Sequence, residues 1–458
     1  MDHLKAALNR KHPFETGITL PLSLEAAIET QLSLTPDEII RRRKLTMEAI
    51  KKRAVALESA TTTSQASMHS DVAKIAGNLN LDLLEELIDL TEYTDRALVE
   101  DLRNGMPVVG HITVSPGVFA PPRPPMDSDG KERVISLDQL HSRARSARAG
   151  IINSICEEGF KAEAWEGTLQ EVEKGHLEGP SQLAAIESSF ENPVIVRRVP
   201  VHQSDKTRLC DDYKRSHTNL ATSFGQRVTL PTHQTLIGAW RRLSRAADGC
   251  NFQIFKGDHE NAYRQVPTHP DHAQYQLICI ADPDNKPAIF RHRAASFGSS
   301  SSVTSYCRVS QCLVHLLRVL FCLAAMSFID DYWSVERSET SPSAFECWIF
   351  LNEVIGFREK VTKRTPPSND IDLLGLGVKL DRESLTLSLP EEKRISLETL
   401  MRELSQLAVP SPGRIRKLCG KLTFASATSG DFSWRASIRR LHAQLRGRRD
   451  PKKLALLT

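Results

Sequence analysis

The chain has 458 residues, of which 40% are hydrophobic and 25% charged, and its formal net charge is +4. That length gives two to four domains or subdomains with a sizeable core, and the composition is globular rather than disordered. Total charge alone points to no partner. The nine cysteines show no C-x-x-C pairing. They read as reduced core residues of an intracellular protein, which excludes a disulfide framework and a zinc site. The segment MDHLKAALNRKHPFE lacks the apolar core of a secretory leader. The most apolar run, Leu313 to Phe328, is interrupted by His315 and Arg318 and is too short to span a bilayer. No membrane partner is expected, and nucleus versus cytoplasm stays open.

In chain order, residues 1–105 read as a helical extension. Thr35 and Glu38 form a capping-box pattern around Pro36, opening a helix to about Leu57. From Leu79 to Leu102, apolar residues (Leu81, Leu84, Leu87, Ile88, Leu98) recur at helical spacing. Residues 106–171 form a Pro/Gly-rich linker plus a helix, with Pro121 to Pro125 in the linker and the helix over Ser136–Glu158. From about Val172 the texture changes. Strands are expected over Val194–Val201, Thr207–Asp211 and Phe252–Phe255, the last running into Asp258, and a helix over Pro231–Ala247. Tyr275–Ile280 and Ala288–His292 alternate like a β-pair. A long helix over Val303–Leu323 precedes strand, turn and strand over Met326–Val335. A helix over Ser343–Ile355 and strands over Leu373–Lys379 and Leu385–Leu389 follow. Helical pattern then runs from Glu391 to Leu445. Basic residues crowd the segment after Ser411, from Arg414, Arg416 and Lys417 to Lys452 and Lys453, against only Asp431 and Asp450. That excess suits a polyanion, and residues 446–458 read as a solvated basic tail. The fold class expected is α+β.

Phe328-Ile329-Asp330-Asp331 carries the chemistry. Adjacent carboxylates after an apolar run repel each other, and burial raises that cost. A cation offsets it. A third carboxylate, Asp258, ends a strand pattern in Asp258-His-Glu-Asn-Ala-Tyr263. Three carboxylates on neighbouring strands suit two divalent ions of the kind that hold the attacking and leaving oxygens in nucleotidyl transfer. The histidines His202, His217, His233, His259, His269 and His272 lack ligand spacing and read as surface or loop residues. The chain has no Walker-type phosphate loop.

Five segments in order resemble a reverse transcriptase of the retroelement type, nearest the DIRS-like and LTR-like branches, over about residues 172–425. Lys206-Thr-Arg208 through Asp212 and Lys214 resembles the fingers motif. The resemblance implies that Lys206 and Arg208 meet the incoming triphosphate, with Asp212 orienting a neighbouring basic group. Asp258 to Pro267 resembles the motif that supplies one metal-binding carboxylate and, at Tyr263, an aromatic gate against the 2′-hydroxyl. Ser296-Phe297-Gly298 and the serines to Ser302 resemble the Phe-Gly segment beside the nucleotide. A proline usually precedes that pair, and here Ser296 stands instead, ahead of a polar, flexible helix opening. Asp330 and Asp331 complete the carboxylate set. Gly356 to Lys363, with Pro366-Pro367 and the Leu373 to Gly377 hairpin, resembles the segment that supplies a proton donor (Lys363, with Lys360 as rival) and the primer grip. Lys174-Gly-His and Gly420-Lys-Leu-Thr-Phe resemble flanking segments.

The implied fold is a right-hand polymerase. Fingers and palm occupy 172–388, thumb-like helices 389–445, and a mainly helical extension precedes them. The implied activity is RNA-directed DNA polymerisation for a retrotransposable element, with two Mg²⁺, or Mn²⁺ in their place, held by Asp258, Asp330 and Asp331. The partners are an RNA or DNA template with primer, and dNTPs. RNase H and integration functions would come from elsewhere. The alternative is a catalytically inactive or domesticated remnant that binds nucleic acid.

Overall fold

The computed structural model describes residues 18–122, 134–202, 207–246, 249–407, 410–429 and 438–443. Lys206 and the basic tail lie outside them. The helices are α1 (Leu22–Ser33), α2 (Pro36–Ala56), α3 (Glu58–Ser67), α4 (Ser70–Ala76), α5 (Leu81–Leu90), α6 (Leu98–Asn104), α7 (Leu137–Glu158), α8 (Ala162–Glu173), α9 (Leu183–Ser189), α10 (His233–Ala246), α11 (Ser300–Phe321), α12 (Ser341–Ile355), α13 (Glu391–Ser405) and α14 (Pro412–Ser429). The strands are β1 (Gly110–Ile112), β2 (Leu177–Ser181), β3 (Ile195–His202), β4 (Thr207–Asp211), β5 (Thr222–Phe224), β6 (Phe252–Asp258), β7 (Leu277–Ala281), β8 (Pro287–His292), β9 (Ala325–Phe328), β10 (Asp331–Arg337), β11 (Thr365–Ser368), β12 (Asp370–Leu373), β13 (Leu376–Leu380) and β14 (Leu385–Ser388). The protein is therefore a mixed α+β fold.

Two sheets organise it. One has the order β2-β8-β7-β3-β4, parallel only between β3 and β7. Every residue of β7 is buried, because helices cover both faces. Ile151 and Ile155 of α7 pack on one face, and Trp165 and Val172, from α8, on the other. The second sheet, β11-β6-β10-β9, is antiparallel throughout. Its neighbouring Ile254 and Phe255 point to opposite faces and enter separate cores. On the Phe255 face lie α11, α12, α5 and α6. On the Ile254 face lie α1, α10 and the β12–β13 hairpin, around Trp333 and Trp240. The chain is cut off from neither core at residue 105. Leu24 and Ile28 join the Ile254 side, and Leu84, Leu87, Leu98 and Leu102 join the Phe255 side.

Charged groups also stitch the N-terminal helices down. Arg43 of α2 is fully buried. Its guanidinium donates to Glu336 Oε2 at 2.9 Å, to Phe321 O at 2.9 Å and to Thr340 O at 2.8 Å. Arg308 of α11 holds Asp95 and Asp101 at 2.7 and 2.6 Å. The Thr35 capping box is present, with Thr35 N donating to Glu38 Oε2 at 2.8 Å.

Several expectations need correcting. The Leu79–Leu102 pattern is two helices, α5 and α6, with Thr91 to Ala97 between them. The pattern over Leu373–Lys379 read as a single strand, but the chain makes a hairpin there, in keeping with the resemblance, turning at Leu374 and Gly375, both at positive φ. Pro366 and Pro367 lie in an edge strand, β11, where the register shifts between Thr365 and Ser368. An edge position with broken pairing is where proline costs least in a sheet. The serines before α11 are no flexible opening. Ser301 and Ser302 are buried in its first turn, Ser302 Oγ accepts from Ser296 N at 3.1 Å, and Asn219 Oδ1 accepts from Ser300 N at 2.9 Å.

Candidate active site

Strand register brings two of the expected carboxylates side by side. Asp331 opens β10 directly opposite Asp258, which ends β6. Residues directly opposite in an antiparallel pair share a face, with Cβ atoms about 5 Å apart. Asp330 sits in the two-residue turn between β9 and β10, after Ile329 at φ +56°. A β-branched residue rarely adopts that region. The turn is tied to the end of β6, since His259 N donates to Asp330 O at 3.2 Å. Burial, and then the carboxylates of Asp258 and Asp331, push Asp330 up to about 6. Burial and then Asp258 raise Asp331 as well. The cluster thus holds more negative charge than its surroundings neutralise.

Lys363 meets part of that deficit. It closes a 3₁₀ turn, Val361–Lys363, and its Nζ lies 2.6 Å from Asp258 Oδ2. Backbone bonds hold this segment against β6. Lys360 N donates to Asp258 O at 2.8 Å, and Gln265 clasps Arg358 through N–H···O bonds of 2.7 and 2.9 Å. Among the described residues, no group of three or more His, Cys, Asp or Glu side chains is placed to hold a metal ion. The donor chemistry still suits a hard cation, because the three groups offer oxygen alone and lack full neutralisation. The cation on Asp258 in this conformation is the Lys363 ammonium.

Tyr263 belongs to the 3₁₀ turn Ala262–Gln265, and its ring centroid lies 5.1 Å from that of Phe297. Burial raises its hydroxyl to about 12, with smaller contributions from Cys307 and Asp330. Phe297 is exposed. Gly298 has φ +100°, and a Cβ there would fall 2.0 Å from Asp211 O. The close approach that needs this glycine is therefore to the chain's own β4. We expect Gly298→Ala to cost about 2–3 kcal/mol, read as a lowered denaturation midpoint. Ser296, in the place of the usual proline, makes two bonds that proline could not. Its N–H donates to Ser302 Oγ, and its hydroxyl donates to Tyr213 Oη at 2.7 Å.

Arg208 is exposed on β4, and among the described residues no hydrogen bond or ion pair joins it to the carboxylates. Lys206 lies outside the described residues. Among the described residues, Asp212 meets no basic side chain; its Oδ1 accepts from Arg215 N at 3.0 Å. Its neighbour Asp211 makes the ion pair. Asp211 is buried against Arg198, at 2.7 and 3.1 Å, and accepts from His292 Nε2 at 2.9 Å. Arg198 also reaches Glu171 at 2.8 Å, and Arg264 grips the same carboxylate at 2.7 to 3.0 Å while donating to His292 Nδ1 at 2.9 Å. The ring joins α8, β3, β4, β8 and the turn that carries Tyr263. Burial, and next Arg264, lower His292 to about 4, so it is neutral near pH 7. Glu171 is pulled down to about 2 by Arg264 and Arg198 against the opposing effect of its burial.

His259 overturns its reading as a surface residue. It is 1% exposed, with Nε2 2.7 Å from Asn352 Oδ1 and Nδ1 2.8 Å from Tyr306 Oη. Burial lowers it to about 4. Its position after Asp258 was visible in the sequence, but its partners were not. All nine cysteines are free thiols, and Cys307, Cys312, Cys322 and Cys347 are buried. Among the described residues no helix is long and apolar enough to cross a membrane. A cavity of about 440 Å³, lined by Met68, His69, Arg103 and His269 among others, is not lined by Asp258, Asp330 or Asp331.

No family model and no curated protein matches the chain. Among solved structures, it is similar to a foamy viral protease–reverse transcriptase in complex with double-stranded DNA. The TM-score is 0.43 and the identity 12%, with 84% of this chain and 55% of that one covered. The chain thus spans about half the length of that structure.

Proposed function

We propose that this chain is an RNA-directed DNA polymerase of a retrotransposable element, adding deoxynucleotides to a primer 3′-hydroxyl. The observation that carries the reading is Asp331 directly opposite Asp258 at the end of the β6–β10 pair, with Asp330 in the adjoining turn. The β11-β6-β10-β9 sheet would serve as palm, the five-stranded sheet as fingers, and α13 with α14 as thumb. Asp258, Asp330 and Asp331 would hold two Mg²⁺, or Mn²⁺, which when bound supply electrostatic stabilisation at the attacking and leaving oxygens. For its part, the chain binds and orients. Lys206 and Arg208 would face the triphosphate. Phe297 and Gly298 would lie beside the nucleotide, and Tyr263 beneath its sugar. Lys363, already at the carboxylates, would carry the proton to the leaving pyrophosphate. Template and primer would be RNA or DNA.

Tyr263→Ala should raise ribonucleotide incorporation relative to deoxynucleotide on the order of tenfold or more. Unchanged discrimination in single-nucleotide extension would remove Tyr263 from the gate. A second reading, a nucleic-acid-binding remnant that does not polymerise, draws on the Lys363–Asp258 pair, which keeps a cation on the key carboxylate without any metal. One assay separates the two: purified protein, Mg²⁺, an RNA template, a DNA primer and either dNTPs or rNTPs. Extension with dNTPs supports the polymerase. Salt-sensitive binding of primer–template without extension supports the remnant. Extension with rNTPs alone points to an RNA-templated RNA polymerase.

A further inference from the structure

Behind the carboxylates, on the opposite face of the same two strands, lies a buried polar chain. Tyr332 follows Asp331 and pairs with Gly257, so its side chain points away from the carboxylate face. Its Oη lies 3.3 Å from Tyr306 Oη, and Tyr306 Oη lies 2.8 Å from His259 Nδ1. His259 Nε2 lies 2.7 Å from Asn352 Oδ1, and Asn352 Nδ2 donates to Trp348 O at 2.9 Å. The proton order follows from the last bond. Asn352 spends its N–H on Trp348, so its Oδ1 accepts from His259 Nε2–H. His259 Nδ1 then accepts from Tyr306, and Tyr306 accepts from Tyr332.

All four side chains are nearly or fully buried, at 0 to 2% exposure. Three elements meet in the chain: the strand ends, α11 through Tyr306, and α12 through Asn352. Trp348 lies over Gly257, where a Cβ would come within 2.0 Å of its ring, so the sheet cannot shift toward α12. Each carboxylate is one covalent step or one hydrogen bond from this frame. Asp258 precedes His259, Asp331 precedes Tyr332, and Asp330 O accepts from His259 N.

We propose that His259, Tyr306, Tyr332 and Asn352 are positioning residues: a hydrogen-bonded frame that fixes the spacing of Asp258, Asp330 and Asp331 and thereby sets the site's affinity for divalent cations. This rests on the polymerase reading. A buried network with every member satisfied allows one arrangement, whereas an apolar core tolerates several. Small displacements at a reacting centre are costly in rate.

Tyr306→Phe tests it, because it removes one hydroxyl and keeps the ring. The probe is Mn²⁺ alone, its binding followed by the electron paramagnetic resonance of the free ion, without nucleotide. Arg43→Met serves as comparison, since Arg43 binds Glu336 toward the far end of β10 and its loss destabilises the same sheet away from the carboxylates. We expect Tyr306→Phe to weaken Mn²⁺ binding by about tenfold and turnover by about 10- to 100-fold, with KM for dNTP unchanged. Tyr332→Phe should add little to that loss in the double variant, because both act through one chain of bonds. Arg43→Met should lower thermal stability and leave Mn²⁺ affinity alone. Wild-type Mn²⁺ affinity in Tyr306→Phe, or an equal loss in Arg43→Met, overturns the frame and leaves the polymerase reading standing. If the wild-type protein binds no Mn²⁺ and extends no primer, both fall together.

Discussion

Asp330→Asn should abolish nucleotide addition, by on the order of 10³-fold, while primer–template binding stays nearly intact and the metal-free protein becomes more stable at neutral pH. The two outcomes have one cause. Asp330 titrates at about 6 in the fold, above its usual value of 3.8. A raised acid contributes stability below the unfolded value, and that contribution is lost as pH rises through the folded one. The window is therefore pH 4 to 6, and the charge at pH 7 costs on the order of 2 kcal/mol. Asparagine keeps the shape and removes the charge. Thermal melts without divalent ions at pH 7.5 and pH 4 check this. The variant should melt higher at 7.5, and the two proteins should converge at 4. A variant that melts lower at both would show that the carboxylate is stabilised rather than stressed where it stands.

Arg198→Met should give the largest loss of stability, about 3–5 kcal/mol. Arg198 and Asp211 are both buried. Removing the guanidinium leaves the carboxylate with one neutral imidazole as partner. Against a total of about 5–15 kcal/mol, that loss leaves a protein marginal at growth temperature. Replacing the pair together, Arg198→Met with Asp211→Leu, should recover much of the loss, since apolar groups of similar size often substitute for a buried ion pair. Urea denaturation of the single and double variants distinguishes this from simple loss of packing, which would make the double worse. The same ring sets the acid limit. Glu171, held near 2, contributes stability that is present above its usual value of 4.5 and is lost as pH falls toward 2. This window lies below that of Asp330 and has the opposite sign.

Local chemistry was readable along the chain, and distant pairing was not. The cap at Thr35 and Glu38 depends on residues three apart and was visible as such. Asp330 and Asp331 stood out because an apolar run led into them. Periodicity marked α11 and the strand of β6 but not α8. His259 was misread because its partners, Tyr306 and Asn352, lie 47 and 93 positions away, and no periodicity separates a buried histidine from an exposed one. Glu171 likewise meets Arg264 across 93 positions, inside a helix that the sequence reading passed over. Asp211, not singled out in the sequence, makes the buried ion pair, and neither spacing nor charge tells which of two adjacent carboxylates points inward. The prolines hid β11, since their cost in a strand depends on whether it lies at a sheet edge.

The knot between Arg43 and Glu336 has a consequence for how the protein is made. The two residues are 293 positions apart. A ribosome adding about 5–20 residues per second needs roughly 15–60 s to travel that distance. Until β10 follows, α1 and α2 lack the partners that complete the burial of Leu24, Ile28 and Arg43. Helices α1 and α2 are thus made long before their burial is complete. A nascent chain stalled before β10 should be digested by protease within α1 and α2, and one released past α12 should resist there.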